Sequence, residues 1–261
     1  MTDPYKTSIG TADETSISLL GRDLPGELMG QVSFGELAFW LVALRRPAPG
    51  ELRVFEAVLV ALADHGFTPS AIAARLTLTG APESVQGALA AGLLGGGSVF
   101  LGVTEDCGRF LADALARNEG PLPDDDAGWD AIAAAAVRAR RAAGLLVPGL
   151  GHPLHKSGDP RTPVILRIAA EAGTRGPHLR LFEAVGRVHP AILGRTLPLN
   201  GAGVCGAALA DLGFEPDTLR GFALLARAAG LLGHLAEEMR RPAGPAIYHE
   251  AGQAVRYVPP G

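Results

Sequence analysis

Cysteine and aromatic side chains are scarce in this sequence, and each scarcity limits what the protein can be. The 261 residues include only two cysteines, Cys107 and Cys205, which excludes a disulfide-stabilised scaffold and a four-cysteine zinc site. Aromatic residues make up 5% of the chain, but hydrophobic residues of all kinds make up 48%. That proportion is typical of a chain that folds around a core.

The sequence also lacks an excess of basic charge and any apolar leader. Its formal net charge is −4 and its pI is about 6.0, whereas nucleic-acid-binding domains are usually strongly basic. Met1–Gly10 is polar and has no secretory signal pattern. The one long uncharged stretch, Ser84–Thr104, contains the triplet Gly95–Gly97 and is interpreted as a buried helix end and a loop. We therefore expect a cytoplasmic protein that binds neither nucleic acid nor membrane.

Helical patterns dominate what is present. Glu51–His65 is apolar on nearly every face after its first turn, which is typical of a helix buried in a core or at an oligomer contact. Breaks are expected at Gly120–Gly128, a run of proline and acidic residues, and at Gly173–Pro177. The predicted class is all-α, and the apolar excess favours a dimer. The other predicted helices are Ser70–Leu78, Asp130–Leu146, Pro163–Ala172 and Asp217–Arg241.

The segment Val147–Arg161, VPGLGHPLHKSGDPR, concentrates side chains that suit an anionic substrate. Gly149 and Gly151 permit a backbone conformation that exposes amide groups to a ligand. His152 titrates in the range needed for proton transfer, and Arg161 can hold a carboxylate through two parallel hydrogen bonds. A basic surface loop explains each residue alone, but it explains the whole set poorly.

Other polar groups carry weaker signals. Asp64-His65-Gly66 caps the apolar helix and fits a buried network and the edge of a site equally well. We expect structural or surface roles for His178, His189 and His249. Phosphate-loop, GxSxG, HExxH and CxxC motifs are all absent from the sequence. No metal site is therefore expected.

Five segments follow one another in an order that resembles a known family. They are Thr11–Phe34, ending in GRDLPGELMGQVSF; Ala61–Ser70, ALADHGFTPS; Val147–Arg161; Leu199–Gly206; and Ala226–Glu237, ARAAGLLGHLAE. Together they resemble the citrate synthase superfamily, and most closely the short citryl-CoA lyases and the citryl-CoA lyase module of ATP-citrate lyase. The likeness extends over nearly the whole chain, and the loop ending at Arg161 is its most specific part.

This resemblance implies a fold and an activity. The fold would be an all-helical homodimer, with a large domain of residues 1–98 and 214–261 and a small domain of residues 99–213 that closes over the substrate. The activity would be that of a lyase, cleaving or forming the carbon–carbon bond between an acetyl-CoA unit and a 2-oxo acid such as oxaloacetate. A coenzyme A thioester would be a substrate, and no metal would be needed.

The resemblance also implies a role for individual residues. His152 would exchange a proton with the oxo-acid oxygen, accepting the hydroxyl proton during cleavage. His155 receives no chemical role. The substrate would be bound by Arg161, Arg227, His65 and Asn200, and coenzyme A by the backbone of Gly149, Leu150 and Gly151 and by Lys156.

Two positions depart from the family pattern. The histidine that stabilises the thioester enol falls at or near Ser98, and the aspartate that works on the thioester α-carbon falls on Ala202. Ser98 and its neighbouring turn would then have to steady the enolate oxygen. Two alternatives follow: related acyl-CoA chemistry, as a synthase or hydrolase on a different substrate, or a non-catalytic relative that binds coenzyme A.

Overall fold

The computed structural model describes residues 5–260, and most of them are helical, which confirms the predicted class. A small antiparallel sheet lies near the N-terminus, where the sequence alternates only weakly, and its strands β1 (Gly10–Ala12), β2 (Ile17–Leu19) and β3 (Arg22–Asp23) pair in that order. A π-helical turn, Leu24–Leu28, follows. The α-helices of residues 5–260 are α1 (Phe34–Ala43), α2 (Pro49–Ala63), α3 (Pro69–Gly80), α4 (Val85–Leu94), α5 (Val103–Ala116), α6 (Asp126–Ala142), α7 (Arg161–Glu171), α8 (Pro177–Leu193), α9 (Gly201–Asp211), α10 (Pro216–Arg240) and α11 (Gly244–Ala254).

Helix α6 begins and ends earlier than the sequence predicted. The acidic run that we interpreted as a linker supplies its N-cap, because the Asp125 carboxylate accepts a hydrogen bond from the Gly128 N–H at 2.9 Å. At the other end Gly144 adopts a left-handed conformation with φ of 68°, which ends the helix. The predicted helix Asp130–Leu146 is therefore displaced by four residues at each end.

The core lies where α2, α5, α8, α9 and α10 meet. Four phenylalanines contributed by three helices and one loop, Phe39, Phe55, Phe214 and Phe222, form its aromatic centre, with ring centroids 4.4–5.8 Å apart. Glycine lets α9 approach α5 closely, because a Cβ on Gly206 would collide with the backbone carbonyl of Thr104. Small residues thus supply the close helix contacts that the low aromatic content requires.

The division into a large and a small domain stays a prediction, and its residues 1–4 and 261 lie outside the described range. One core cluster contains side chains from both proposed parts, among them Val54 from the first and Leu111 and Val204 from the second. Within residues 5–260, no helix combines the length and apolar character needed to cross a bilayer.

Asp211, the last residue of α9, caps the first turn of α8. Its buried carboxylate accepts hydrogen bonds from the N–H groups of Gly176, His178 and Leu179 at 2.9–3.0 Å. We predict that Asp211→Ala lowers the free energy of unfolding by about 2–4 kcal/mol, because three helix N–H groups lose their acceptor. Urea denaturation measures this value. Asp124→Ala, in the exposed loop before α6, is the control and should stay within about 0.5 kcal/mol; equal effects would contradict the capping role.

Candidate active site

A cleft of about 1560 Å³ gathers most of the predicted site residues. Its walls come from α5 and α6, the loop from Leu145 to Leu154, and the ends of α2 and α9. Lys156 is exposed and is not among the lining residues, so its contact with coenzyme A stays a prediction. The predicted residues that line the cleft are His65, Ser98, Gly149, Leu150, Gly151, His152, Arg161, Asn200 and Arg227.

The turn Gly149–Gly151 is held against the segment that enters α9. Both glycines adopt left-handed backbone angles, with φ of 85° and 84°, a conformation that favours glycine. The Gly151 N–H binds the Pro198 carbonyl at 2.7 Å, and the Asn200 N–H binds the Gly149 carbonyl at 2.9 Å. We expected the glycines to expose amide groups to a ligand, but the Gly151 amide is already bound within the protein.

Asn200 joins this turn to α9. Its side-chain oxygen caps the helix by accepting the Gly203 N–H at 2.8 Å, and its side-chain nitrogen donates to the Gly151 carbonyl at 2.9 Å. The amide is therefore used to hold the cleft wall together. Direct contact of Asn200 with substrate stays a prediction.

Arg161, at the start of α7, is positioned by a carboxylate in the turn just before it. Asp159 accepts from its Nε and Nη2 at 3.0 and 2.8 Å, and from the Gly201 N–H at 2.7 Å. Burial opposes the charge on Asp159, but these bonds hold the pKa of its carboxyl well below the usual range. Arg161 also donates from Nη1 to the Ala61 carbonyl at 3.2 Å. A guanidinium has five N–H groups, so two remain for a ligand.

Arg227, on α10, is a buried cation with few partners. It is 6% exposed, and its Nε has no hydrogen-bond partner among the described residues. The nearest carboxylate oxygen, Asp64 Oδ1, lies 3.9 Å from Nη1, beyond hydrogen-bond distance. Burial lowers the pKa of the guanidinium. A buried and poorly paired charge is costly, so this position favours an anionic ligand.

Three histidines meet beside these cations. His65, which follows α2, and His155 approach each other with their Nε2 atoms 3.1 Å apart. The His152 ring lies 4.4 Å from that of His155 and 5.1 Å from that of His65, between centroids. Burial, then the charges of Arg161 and His155, lowers the pKa of His65. His155 was missed from the sequence, because its partner His65 lies ninety residues earlier in the chain.

The hydrogen bonds of His152 fix which ring nitrogen carries its proton. Its Nδ1 accepts the backbone N–H groups of Leu154 and His155 at 3.1 and 3.0 Å. An accepting nitrogen has no hydrogen, so the neutral ring carries its hydrogen on Nε2. Burial, followed by repulsion from His155, lowers the pKa of His152 to about 4. Burial is thus the main cause that favours the neutral form of the ring, ahead of the neighbouring charges.

This assignment changes the predicted role of His152. A ring whose Nε2 bears hydrogen donates a hydrogen bond from that atom, and it can accept a proton only on Nδ1, by breaking the two bonds there. The same proton assignment affects metal binding by the three histidines. One nitrogen atom from each of His65, His152 and His155 lies within 4.8 Å of the other two. A metal on Nε2 of His152 would require a hydrogen on Nδ1, where two N–H groups already point. The bonds in this turn therefore disfavour a three-histidine metal site.

The remaining predicted histidines have structural or surface environments, as expected. His178 contacts the buried Asp211 through Nδ1 at 2.9 Å. His189 is buried between the Val185 carbonyl and the Leu197 N–H. His249 is exposed.

Comparison with known proteins identifies the family of this fold. The family model for the C-terminal domain of citrate synthase matches residues 13–248. The chain belongs to the citrate synthase family. Among solved structures of this family, the citryl-CoA lyase of Hydrogenobacter thermophilus is 28% identical, with a TM-score of 0.85, and the match covers 98% of this chain and 95% of that one. The ATP citrate lyase of Methanothrix soehngenii shares the fold at 21% identity, with a TM-score of 0.76, over 100% of this chain and 43% of that one.

Curated relatives in the citrate synthase family are longer proteins. A probable ATP-citrate synthase of Dictyostelium discoideum is 26% identical over 244 residues, covering 87% of this chain and 37% of that protein. The rice ATP-citrate synthase beta chain protein 1 is 28% identical over 201 residues, covering 71% of this chain and 31% of that protein. The chain thus spans about a third of the length of these relatives.

The two departures from the family pattern both lie on the cleft. Ala202 lies in the first turn of α9 and lines the cleft, so the expected carboxylate position carries only a methyl group. Ser98 is exposed and lines the cleft between α4 and α5. The two arginines predicted to bind carboxylates therefore line the same cleft as the two positions that depart from the family pattern.

Proposed function

We propose that this protein is a citryl-CoA lyase-like enzyme. It cleaves, or forms, the carbon–carbon bond between an acetyl-CoA unit and a 2-oxo acid such as oxaloacetate. The observation that carries the proposal is the set formed by Arg161, Arg227 and His152 in one cleft. Two guanidinium groups with unused donors bind a dicarboxylate, and an Nε2–H donor lies beside them to contact the oxygen between its carboxylates. The near-complete overlay on a citryl-CoA lyase supports the same assignment.

Cleavage proceeds by a retro-Claisen step. The hydroxyl of the citryl unit loses its proton, the bond to the thioester α-carbon breaks, and the electron pair moves onto the thioester as an enolate. The enolate then takes a proton at carbon from water, since Ala202 has none to give, and becomes acetyl-CoA. His152 donates from Nε2 to the oxygen that becomes the oxo group. Donors of the turn at Ser98 stabilise the enolate oxygen, a role for which one lost donor typically costs about 10²–10³ in rate.

The hydroxyl proton goes to the pair formed by His65 and His155. Two neutral rings joined through their Nε2 atoms share one N–H, so one Nδ1 of the pair is unprotonated and can accept. The pKa of His65 is lowered by burial, which keeps it neutral near pH 7. Coenzyme A lies along the Gly149–Gly151 turn, with Lys156 near its phosphates.

Incubation with citryl-CoA tests the proposal directly. The expected products are oxaloacetate and acetyl-CoA, without release of a free thiol. Oxaloacetate is measured by the oxidation of NADH in a coupled assay with malate dehydrogenase. Free coenzyme A thiol with citrate would identify a hydrolase. Binding of coenzyme A by calorimetry, with neither product, would identify a non-catalytic relative and overturn the proposal.

A second function is favoured by Ala202. An alanine cannot exchange a proton with the thioester α-carbon, so related acyl-CoA chemistry on a different substrate remains the alternative. Deuterium exchange into the methyl group of acetyl-CoA, in the presence of oxaloacetate, separates the two. Exchange supports acetyl-CoA as the acyl unit, with water or another acid replacing the carboxylate, whereas its absence together with turnover of a longer thioester favours the alternative.

We also propose that the protein is a cytoplasmic homodimer that contacts its partner through α2 and α10. Val60 on α2 is 77% exposed, and Leu232 and Met239 on α10 are 48% and 58% exposed, although each is apolar. We predict a stable dimer by light scattering at micromolar concentration, and a larger monomer fraction for Val60→Asp. A wild-type monomer under these conditions would contradict the prediction.

A further inference from the structure

A series of hydrogen-bonded polar groups, some of them buried, lies behind the cleft, between α3 and α10. It begins at Arg75, whose guanidinium is 1% exposed. The guanidinium donates from Nη1 to Glu238 at 2.7 Å and also contacts Glu237. Its Nε and Nη2 atoms lie 3.1 and 2.9 Å from Nδ1 of His234. Arg75 thus presents only donors to that imidazole nitrogen.

These donors determine the orientation of the His234 proton. A guanidinium cannot accept a hydrogen bond, so Nδ1 of His234 accepts and Nε2 carries the hydrogen. Nε2 lies 2.9 Å from Oδ1 of Asp64, to which it donates. The other oxygen of Asp64 accepts the Gly66 N–H at 2.8 Å. Burial disfavours the charge, but the bonds from Gly66 and His234 hold the pKa of Asp64 below its usual value.

Asp64 connects this series of hydrogen-bonded groups to two residues of the cleft. It immediately precedes His65, and its Oδ1 lies 3.9 Å from Nη1 of Arg227. That distance is too long for a hydrogen bond, even though the Asp64 side chain is 46% exposed and so is not confined by packing. A carboxylate beside a buried and poorly paired guanidinium is expected to close on it. The bond from His234 opposes that closure.

We propose that His234 is a positioning residue that keeps Asp64 away from Arg227, so that the guanidinium stays available to the substrate carboxylate. The inference rests on the proposed function in assigning Arg227 to the 2-oxo acid. Without the His234 bond, Asp64 turns onto Arg227 and competes with the substrate as an internal carboxylate. The consequence is weaker binding of the oxo acid with little effect on coenzyme A.

Two conservative variants of His234 separate positioning from general support of the fold. His234→Asn retains an oxygen near the place of Nδ1, which satisfies Arg75, but its side chain is too short to reach Asp64. His234→Gln is long enough to donate to Asp64 while its oxygen accepts from Arg75. Both variants keep the buried guanidinium paired, and thermal unfolding measures whether the fold is retained.

The expected result is a split between the two variants. Calorimetry should show the Kd for oxaloacetate raised about tenfold or more by His234→Asn, since a charged contact in a closed site is lost. His234→Gln should remain within about threefold, and coenzyme A should bind both variants as it binds the wild type. Equal oxaloacetate affinities for the Asn and Gln variants would overturn the proposal.

A crystal structure of the His234→Asn variant gives a readout that does not depend on the reaction. The expected change is an Asp64–Arg227 approach to about 2.7–2.9 Å, the range of a charged hydrogen bond. An Asp64 carboxylate that stays at its original distance would overturn the proposal. If wild-type protein binds no oxaloacetate, the proposed function fails, and this distance still decides the role of His234.

Discussion

Replacing Gly201 by alanine is expected to remove most of the affinity for the 2-oxo acid while the helical fold and coenzyme A binding persist. A Cβ at this position would lie 2.5 Å from Cζ of Arg161, so the guanidinium must move. Arg161 is held by Asp159, which also accepts the Gly201 N–H, and the displacement therefore disturbs all three groups. A misplaced charged contact in such a site typically costs a few kcal/mol, or about 30-fold to 1000-fold in Kd for oxaloacetate.

Gly221→Ala provides the matched control. Gly221 lies on α10, and a Cβ there would meet no atom within 4 Å, so the same substitution should leave oxaloacetate binding unchanged and slightly stabilise the helix. Calorimetry with oxaloacetate and with coenzyme A measures both variants. An unchanged oxaloacetate affinity in Gly201→Ala would remove Arg161 from the substrate site.

The sequence predicted the helices whose ends carry strong local signals. Helices α2, α3, α7 and α10 begin and end within two residues of their predicted positions, because proline, glycine and a continuous apolar face define them. Helices α1, α5, α8, α9 and α11 were not predicted. Helix α9 reads GAGVCGAALAD, and its glycines lower helix propensity; packing against α5 stabilises it. Such contacts between distant segments are not visible in local patterns.

The candidate site also combines residues that are neighbours in the sequence with contacts between distant segments, and only the first kind could be predicted. His152 and Arg161 belong to one loop, so their closeness along the chain is enough to indicate a site. Asp159-Pro160-Arg161 is predicted from the sequence as a rigid turn that orients Arg161, but the bonds from its guanidinium to the Asp159 carboxylate depend on the fold. The contacts of His65 with His155 and of Asp64 with His234 join segments 90 and 170 residues apart, and no spacing rule predicts them.

Which ring nitrogen of His152 carries the hydrogen could not be predicted from the sequence either. It depends on two backbone N–H groups that point at Nδ1, and therefore on the fold of the turn. The sequence favoured a base, because a neutral imidazole near cations is suited to accept a proton. The turn instead makes the same neutral ring a donor.

Substitutions of His152 distinguish the donor from the base. His152→Ala is expected to lower kcat by about 10²–10³, the usual cost of one lost donor to a developing oxyanion. His152→Gln places an amide N–H near the position of Nε2, so it should retain activity within about tenfold of the wild type. A base cannot be replaced by an amide, so Gln and Ala variants that are equally inactive would restore the base assignment. His155→Ala should also lower kcat, because it removes the partner of His65.

The pH dependence gives an independent test of the same assignment. The pKa of His152 is lowered to about 4, below the value of about 6.5 expected for the unfolded chain. Its neutral form is therefore the native form at neutral pH, and it is lost only as the pH falls through about 4, when a proton on Nδ1 would break the bonds to Leu154 and His155. The pH profiles of kcat/KM for the wild type and His152→Gln should consequently have the same shape between pH 5 and 8, although their absolute rates differ. A limb near pH 6.5 that is present in the wild type and absent from His152→Gln would mean that His152 titrates as a base.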